Sequence, residues 1–115
     1  MGDFELNDSL TQLTSYDSGT DYSGTFNNVI FDFIQYRSYT VCRATSSSAV
    51  SFEYTMWTNM FPIPTGMRHF SYLSIPTVSG TIIVLRLSGG YIQVFTANST
   101  NGYMQGSGSV ISNRP

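Results

Sequence analysis

Hydrophobic and polar residues alternate in short runs along most of the chain after residue 24, which is the pattern of half-buried β-strands. Turn-forming residues separate the runs, and no amphipathic helical pattern follows residue 24. The pattern predicts an all-β domain, built as an antiparallel β-sandwich or a jelly roll. We expect strands at 27–36, 39–44, 49–57, 68–75, 81–87, 91–96 and 103–111.

The first 24 residues follow a different pattern. Leu6, Leu10 and Leu13 recur at helical spacing, and a polar, turn-rich stretch follows them. We therefore divide the chain into an N-terminal stub and linker at 1–24, helical or irregular, and a head domain at 25–115. Two interpretations of the stub stay open, a frayed tail or the end of a coiled-coil stalk that lies upstream in a longer protein.

Prolines and glycines limit the backbone in the middle of the chain. Pro62 and Pro64 lack amide hydrogens and favour extended backbone before them, so this segment can form only an edge strand or a loop. Gly66 follows at a place where a turn can use positive φ. Further along, Gly89 and Gly90 separate two β-rich runs, which predicts a hairpin.

Charged residues are scarce. They make up 10% of the chain, against about 25% in an ordinary globular protein, and there is no lysine. Two interpretations of such a surface stay open: burial between the subunits of a homo-oligomer, or recognition of a neutral, hydroxyl-rich ligand. The net charge is −2 and the five arginines are scattered, so the chain lacks the basic patch that nucleic acid requires. We predict no nucleic-acid binding.

Few residues are suited to catalysis or to metal binding. Asp32 and Glu53 lie in predicted strands with apolar neighbours, which favours solvated carboxylates over the paired acids of a glycosidase. His69 is the only histidine, and no Gly-x-Ser-x-Gly elbow is present. Cys42 is the only cysteine and lies in an apolar run, which favours a buried thiol. We predict a protein that is not an enzyme, without cofactor or metal, and no membrane insertion, because no apolar run of about 20 residues occurs.

Seven residues are candidates for ligand contact: Trp57, Arg68, His69, Tyr72, Asn98, Asn101 and Tyr103. Sugar rings stack their C–H faces on aromatic rings, which makes Trp57 and Tyr72 candidates, although a core position is the alternative for a lone tryptophan. Two interpretations of Arg68 stay open: its planar guanidinium group binds a phosphate, or it supports the adjacent turn. Asn98 and Asn101 lie in a polar loop, which is either a binding loop at a sheet end or simply a turn.

The order and spacing of these motifs resemble the C-terminal head domains of receptor-binding proteins and tail or baseplate fibres of tailed phages that infect Gram-positive bacteria. The segment 63–68, Ile-Pro-Thr-Gly-Met-Arg, is similar to the Leu-Pro-x-Gly-x-Arg-Pro segment of these heads. The strand, turn and strand at 81–95 and the strand, Tyr-Arg, strand order at 24–41 extend the similarity over roughly 22–112. The chain departs from the pattern at His69, where these heads have a second proline.

The resemblance implies a host-receptor-binding head domain, located in the virion at a phage tail tip or baseplate. It implies attachment to a bacterial cell-surface polysaccharide without catalysis, a homotrimer, and N-terminal contacts with other tail or baseplate proteins. Weak single sites would then act together through avidity. Two alternatives stay open: a purely structural module that trimerises or caps a virion fibre, and a free-standing carbohydrate-binding or adhesin domain.

Overall fold

Eight antiparallel β-strands make up most of residues 20–112, which are the residues that the computed structural model describes. The strands are β1 (Thr20–Phe26), β2 (Val29–Gln35), β3 (Tyr39–Thr45), β4 (Thr58–Pro62), β5 (Leu73–Pro76), β6 (Ile82–Ser88), β7 (Tyr91–Asn98) and β8 (Gly106–Ile111). Within this range no helix is long and apolar enough to span a membrane. The prediction of an all-β antiparallel sandwich is confirmed, and residues 1–19 of the predicted stub lie outside the described range.

The strands form two four-stranded sheets. Sheet I has the order β1-β2-β3-β8, and sheet II has the order β4-β7-β6-β5. Alternate residues of each strand face the space between the sheets, as in β2, where Val29, Phe31 and Phe33 are buried. The apolar residues that complete this core from sheet II and from the loops are Leu73, Ile75, Ile83, Leu85, Ile92, Val94, Val50, Phe52, Phe70 and Met104.

Two tight turns set the strand registers. Asn27 and Asn28 have φ angles of 51° and 62°, and Gly89 and Gly90 have φ angles of 61° and 85°. A two-residue turn with positive φ at both positions is of type I′, whose twist matches that of the strands it joins. The hairpin predicted at the two glycines is confirmed. The turn at the two asparagines was not predicted, because the sequence pattern placed both residues in a strand.

The strand predicted at 49–57 is wrong. This segment crosses from sheet I to sheet II, and its backbone groups form isolated hydrogen bonds instead of pairing with a neighbouring strand. The Val50 amide donates to the Gly102 carbonyl at 2.8 Å, and the Tyr54 amide donates to Thr96 Oγ1 at 2.8 Å. Alternation along a sequence reports which residues face the core, but it does not report whether a partner strand is present.

Other boundaries also differ from the prediction. β5 starts at Leu73 instead of residue 68, and β8 starts at Gly106 instead of residue 103. β4 was not predicted as a separate strand, but it contains Pro62 and lies at a sheet edge, as the proline requires. β1 takes in residues 20–24, which the sequence pattern assigned to the linker.

The sandwich is closed on one side, where β8 lies against β5. Gly106 and Gly108 allow this approach, because a Cβ atom at either position would lie 1.9 Å from the carbonyl oxygen of Pro76 or Ser74, respectively. On the opposite side, β1 and β4 are edge strands that do not pair with each other. On this side no strand pairing joins the two sheets, and the Phe61 ring of β4 packs against Gly24 of β1.

Candidate functional site

Trp57 lies immediately before β4 and is half-buried. The centroid of its ring system lies 5.9 Å from the ring centroid of Tyr72 and 5.5 Å from that of Phe95. None of these three residues belongs to the hydrophobic core or packs against it. The core alternative for Trp57 is therefore wrong, and the structure brings two of the predicted ligand-contact residues, Trp57 and Tyr72, into contact.

Strand register places polar residues beside this cluster on the outer face of sheet II. Leu85 is fully buried, so Arg86 next to it points away from the core. Arg86 pairs with Gln93 of β7, and Gln93 pairs with Asn59 of β4. Phe95 lies two residues beyond Gln93 and therefore on the same face. One row of polar side chains thus crosses three strands next to the aromatic rings.

Arg86 connects the aromatic and polar groups. Its Cζ atom lies 4.1 Å from the centroid of the Trp57 ring, which is within the range of a cation–π interaction. Its Nε–H donates to Gln93 Oε1 at 2.8 Å, and Gln93 Nε2 donates to Asn59 Oδ1 at 2.8 Å. We call this set of six residues the aromatic face: Trp57, Tyr72, Phe95, Arg86, Gln93 and Asn59.

The aromatic face has the chemistry of a saccharide-binding surface. Tyr72 is 60% exposed, so part of a flat apolar ring surface is open to a ligand. Arg86, Gln93 and Asn59 supply hydrogen-bond donors and acceptors beside the rings. Sugars present both an apolar C–H face and a rim of hydroxyl groups, and this combination matches them. The one formal charge among the six residues is positive, which suits a neutral or anionic ligand.

Arg68 has structural contacts at the end of β2. The backbone N–H of Arg68 donates to Gln35 Oε1 at 2.6 Å, and Gln35 Nε2 donates to the backbone carbonyl oxygen of Arg68 at 2.9 Å. The guanidinium donates to the Tyr36 carbonyl. Gln35 is buried and also donates from Nε2 to Thr40 Oγ1 at 2.9 Å. These bonds fit the interpretation in which Arg68 supports the neighbouring turn, and they explain why β5 starts several residues later.

The other four candidates are exposed: His69, Asn98, Asn101 and Tyr103. Asn98 ends β7, and its Nδ2 donates to the Gly80 carbonyl at 3.2 Å. Tyr103 is 47% exposed in the loop before β8. Within residues 20–112, no ring contact or hydrogen bond connects any of the four with Trp57. The structure therefore does not unite the seven candidates into one site.

Sequence reasoning did not select Arg86, Gln93, Phe95 or Asn59. The positions of Arg86 and Gln93 could have been found, because the predicted turn at Gly89 and Gly90 fixes the register of its hairpin. Counting outward from that turn places Arg86 opposite Gln93. The position of Asn59 relative to Gln93 depends on how the crossing segment meets sheet II, which no local pattern determines.

The acidic and thiol groups lie elsewhere in the fold. Asp32, on the outer face of sheet I, accepts a hydrogen bond from Ser23 Oγ at 2.8 Å and lies 3.8 Å from Arg43 Nη2. Glu53 is exposed, and within the described range no contact joins it to Asp32. The same range contains no group of three potential metal ligands. Cys42 is buried as predicted, and burial, together with the Asp32 carboxylate, raises the pKa of its thiol.

A cleft of about 190 Å³ opens between β1 and β4. Its lining is mostly apolar and includes Tyr22, Gly24, Phe61 and Pro62. Gly24 packs so closely on Phe61 that a Cβ atom would lie 2.7 Å from the Phe61 Cε1 atom. The cleft offers fewer polar groups than the aromatic face, so it suits an apolar side chain better than a sugar.

Comparisons of the chain with protein-family models, with curated proteins and with solved structures found no match.

Proposed function

We propose that the chain is a host-receptor-binding head domain of a phage tail or baseplate fibre, which attaches the virion to a bacterial cell-surface saccharide without catalysis. The observation that supports this proposal best is the aromatic face. It combines the exposed ring of Tyr72 with a row of amide and guanidinium groups that strand pairing holds in place. The proposal also draws on the resemblance of the sequence to phage head domains.

In this proposal a sugar ring stacks its C–H face on Tyr72 and on the accessible part of Trp57. Its hydroxyl groups bind Asn59, Gln93 and Arg86. The hydrogen bonds that link these three side chains restrict their rotamers before any ligand arrives. Less conformational entropy is then lost on binding, which favours recognition of a ligand that offers few contacts.

Assembly raises the strength of attachment in this proposal. Three copies form each head, and the N-terminal side joins other tail or baseplate proteins. Each site binds weakly, and the linked sites together give avidity that exceeds the single-site affinity by orders of magnitude. We therefore expect a single-site dissociation constant weaker than micromolar.

Trp57 makes the proposal testable without a label, because it is the only tryptophan in the chain. We would titrate the protein with cell-wall polysaccharides purified from a panel of Gram-positive bacteria and record tryptophan fluorescence. We expect a saturable change with at least one polysaccharide. The Tyr72→Ala variant should bind that polysaccharide about tenfold more weakly, which corresponds to about 1.4 kcal/mol.

Tyr39→Ala is the matched control, because Tyr39 is also an exposed tyrosine but lies in β3 of sheet I. Equal loss of binding in both variants would contradict binding at the aromatic face. A stable oligomer that binds none of the polysaccharides would favour the structural fibre module. A monomer that binds saccharide through the aromatic face would favour the free-standing carbohydrate-binding domain.

A further inference from the structure

Of the four sheet edges in residues 20–112, three are protected against pairing with another chain. β8 and β5 cover each other, and the Val78 amide donates to the Gln105 carbonyl at 2.9 Å where the two strands meet. β4 is short, contains Pro62 and is interrupted by a bulge between Asn59 and Phe61. Prolines, bulges and covering strands are the features that keep sheet edges from pairing with other chains.

Within the described residues, β1 has no proline, bulge or covering strand, and its one charged residue is Asp21. Its seven residues pair with β2 in an unbroken register from Thr20 to Phe26. It contains no proline and no lysine, and each of its residues is exposed or half-buried. A regular edge of this length presents unpaired N–H and C=O groups to any suitable strand.

The turn at Asn27 and Asn28 determines which groups are unpaired. In a two-residue hairpin the flanking residues, Phe26 and Val29 here, form a hydrogen-bonded pair, and hydrogen-bonded and non-hydrogen-bonded pairs then alternate along the strands. Tyr22 and Gly24 are therefore bonded to β2. The residues between and beside them direct their N–H and C=O groups away from β2: Asp21, Ser23 and Thr25.

We propose that β1 is a docking edge for a second copy of this chain, whose β1 pairs with it in antiparallel orientation about a two-fold axis at Ser23. In this register Ser23 faces Ser23 of the second copy, and Asp21 faces Thr25 at both ends. Every outward N–H and C=O group of Asp21, Ser23 and Thr25 then has a partner. The two copies of sheet I become one continuous sheet.

The side chains favour this register over its neighbours. Ser23 is the middle residue of β1, so a pairing centred on it uses all seven residues, whereas a pairing centred on any other residue shortens the ladder. A pairing centred on Asp21 would also place two carboxylates opposite each other. With Ser23 at the centre, Tyr22 lies opposite Gly24 of the second copy. Both residues line the apolar cleft, so the clefts of the two copies lie next to each other across the axis.

This inference goes beyond the proposed function and is independent of it, because the aromatic face lies on the outer side of sheet II. A two-fold contact through β1 leaves the other surfaces free for a three-fold contact. The mass of the wild-type protein is then a multiple of two copies, whether or not trimers also form.

The first test compares the mass of the full chain in solution, measured by light scattering after size exclusion, between wild type and Ser23→Pro. Proline removes the outward amide hydrogen of Ser23 without removing a bond to β2, so it blocks the edge and leaves sheet I paired. We expect the mass to halve. Ser23→Ala is the control, because it loses only the hydroxyl bond to Asp32 and keeps the wild-type mass. A wild-type monomer or trimer, or a wild-type mass that Ser23→Pro leaves unchanged, would overturn the inference.

The second test does not depend on the proline variant folding. Ser23→Cys places two thiols opposite each other across the proposed axis, and mild oxidation should link most of the protein into covalent dimers. Cys42 is buried and its thiol pKa is raised, so it does not compete. The control is Ser107→Cys, at an exposed position on β8. Cross-linking that is absent at position 23, or equal at both positions, would overturn the inference.

Discussion

The guanidinium of Arg86 lies over the ring of Trp57, with 4.1 Å between the Cζ atom and the ring centroid. Arg86 extends from β6, whereas Trp57 belongs to the segment that crosses between the sheets before β4. The contact therefore fixes the end of an irregular segment to a regular strand. It also makes the aromatic face a tertiary feature that depends on sheet II being assembled.

Replacement of Arg86 by alanine should lower the free energy of unfolding by about 1 kcal/mol, the strength of a partly exposed cation–π contact. It should also shift the fluorescence emission of Trp57 to longer wavelength, because the ring becomes more exposed to water. Urea unfolding followed by tryptophan fluorescence measures both effects. Arg43→Ala is the control, because the Arg43 side chain is 69% exposed and its ion pair at 3.8 Å contributes little. Equal effects of the two replacements would contradict the prediction.

Gly106→Ala should destabilise the protein by about 3 kcal/mol or more, since the added methyl group would lie 1.9 Å from the Pro76 carbonyl oxygen and force β8 away from β5. The midpoint of chemical unfolding is the measurement. Ser107→Ala, at the adjacent exposed position, should leave that midpoint within experimental error. An unchanged midpoint for Gly106→Ala would show that the two strands do not approach as described.

Gln35→Met should lower the free energy of unfolding by about 2 kcal/mol or more. Methionine preserves the volume, but the backbone N–H and C=O of Arg68 lose their partners close to the core. Gln93→Met, on the solvent side of sheet II, should cost less, because water can replace the lost bonds. Thermal unfolding monitored by circular dichroism distinguishes the two variants. A larger loss for Gln93→Met would contradict this account.

Cys42 should make the protein less stable as the solution becomes alkaline. Burial raises the pKa of the thiol in the folded state, so above the pKa of the unfolded chain, about 8.5, only the unfolded state releases the proton. The free energy of unfolding should then fall by up to about 1.4 kcal/mol per pH unit. Cys42→Ala should remove this part of the pH dependence, as measured by urea unfolding from pH 8 upwards. A pH dependence identical to that of wild type would show that the thiol is not the cause.

Structural features that depend only on residues close together in the sequence could be predicted from it. Gly89 and Gly90 predicted a type of turn, and that turn determines the register that pairs Arg86 with Gln93. Pro62 limited its segment to an edge strand or a loop, because the missing amide hydrogen is a property of the residue itself, and the structure places it in the edge strand β4. The fold class followed from these local features together with the alternation of apolar residues.

Features that depend on contacts between segments far apart in the sequence could not be predicted in this way. Trp57 contacts Arg86 and Phe95 because the crossing segment ends against sheet II, and nothing near Trp57 in the sequence determines that end point. β1 was missed because it is polar and rich in turn-forming residues, which local patterns assign to a linker. Its strand conformation comes from pairing with β2 through the turn at Asn27 and Asn28.

The contact of Gly106 and Gly108 with β5 has a consequence for motion. β5 and β8 cannot separate without breaking the contacts along both strands, so this side of the sandwich is rigid. Fluctuations that loosen the sandwich must then start where β1 and β4 end the sheets. We expect amide hydrogens to exchange faster along β4, the edge strand with a bulge, than around Cys42 and Leu85 in the core.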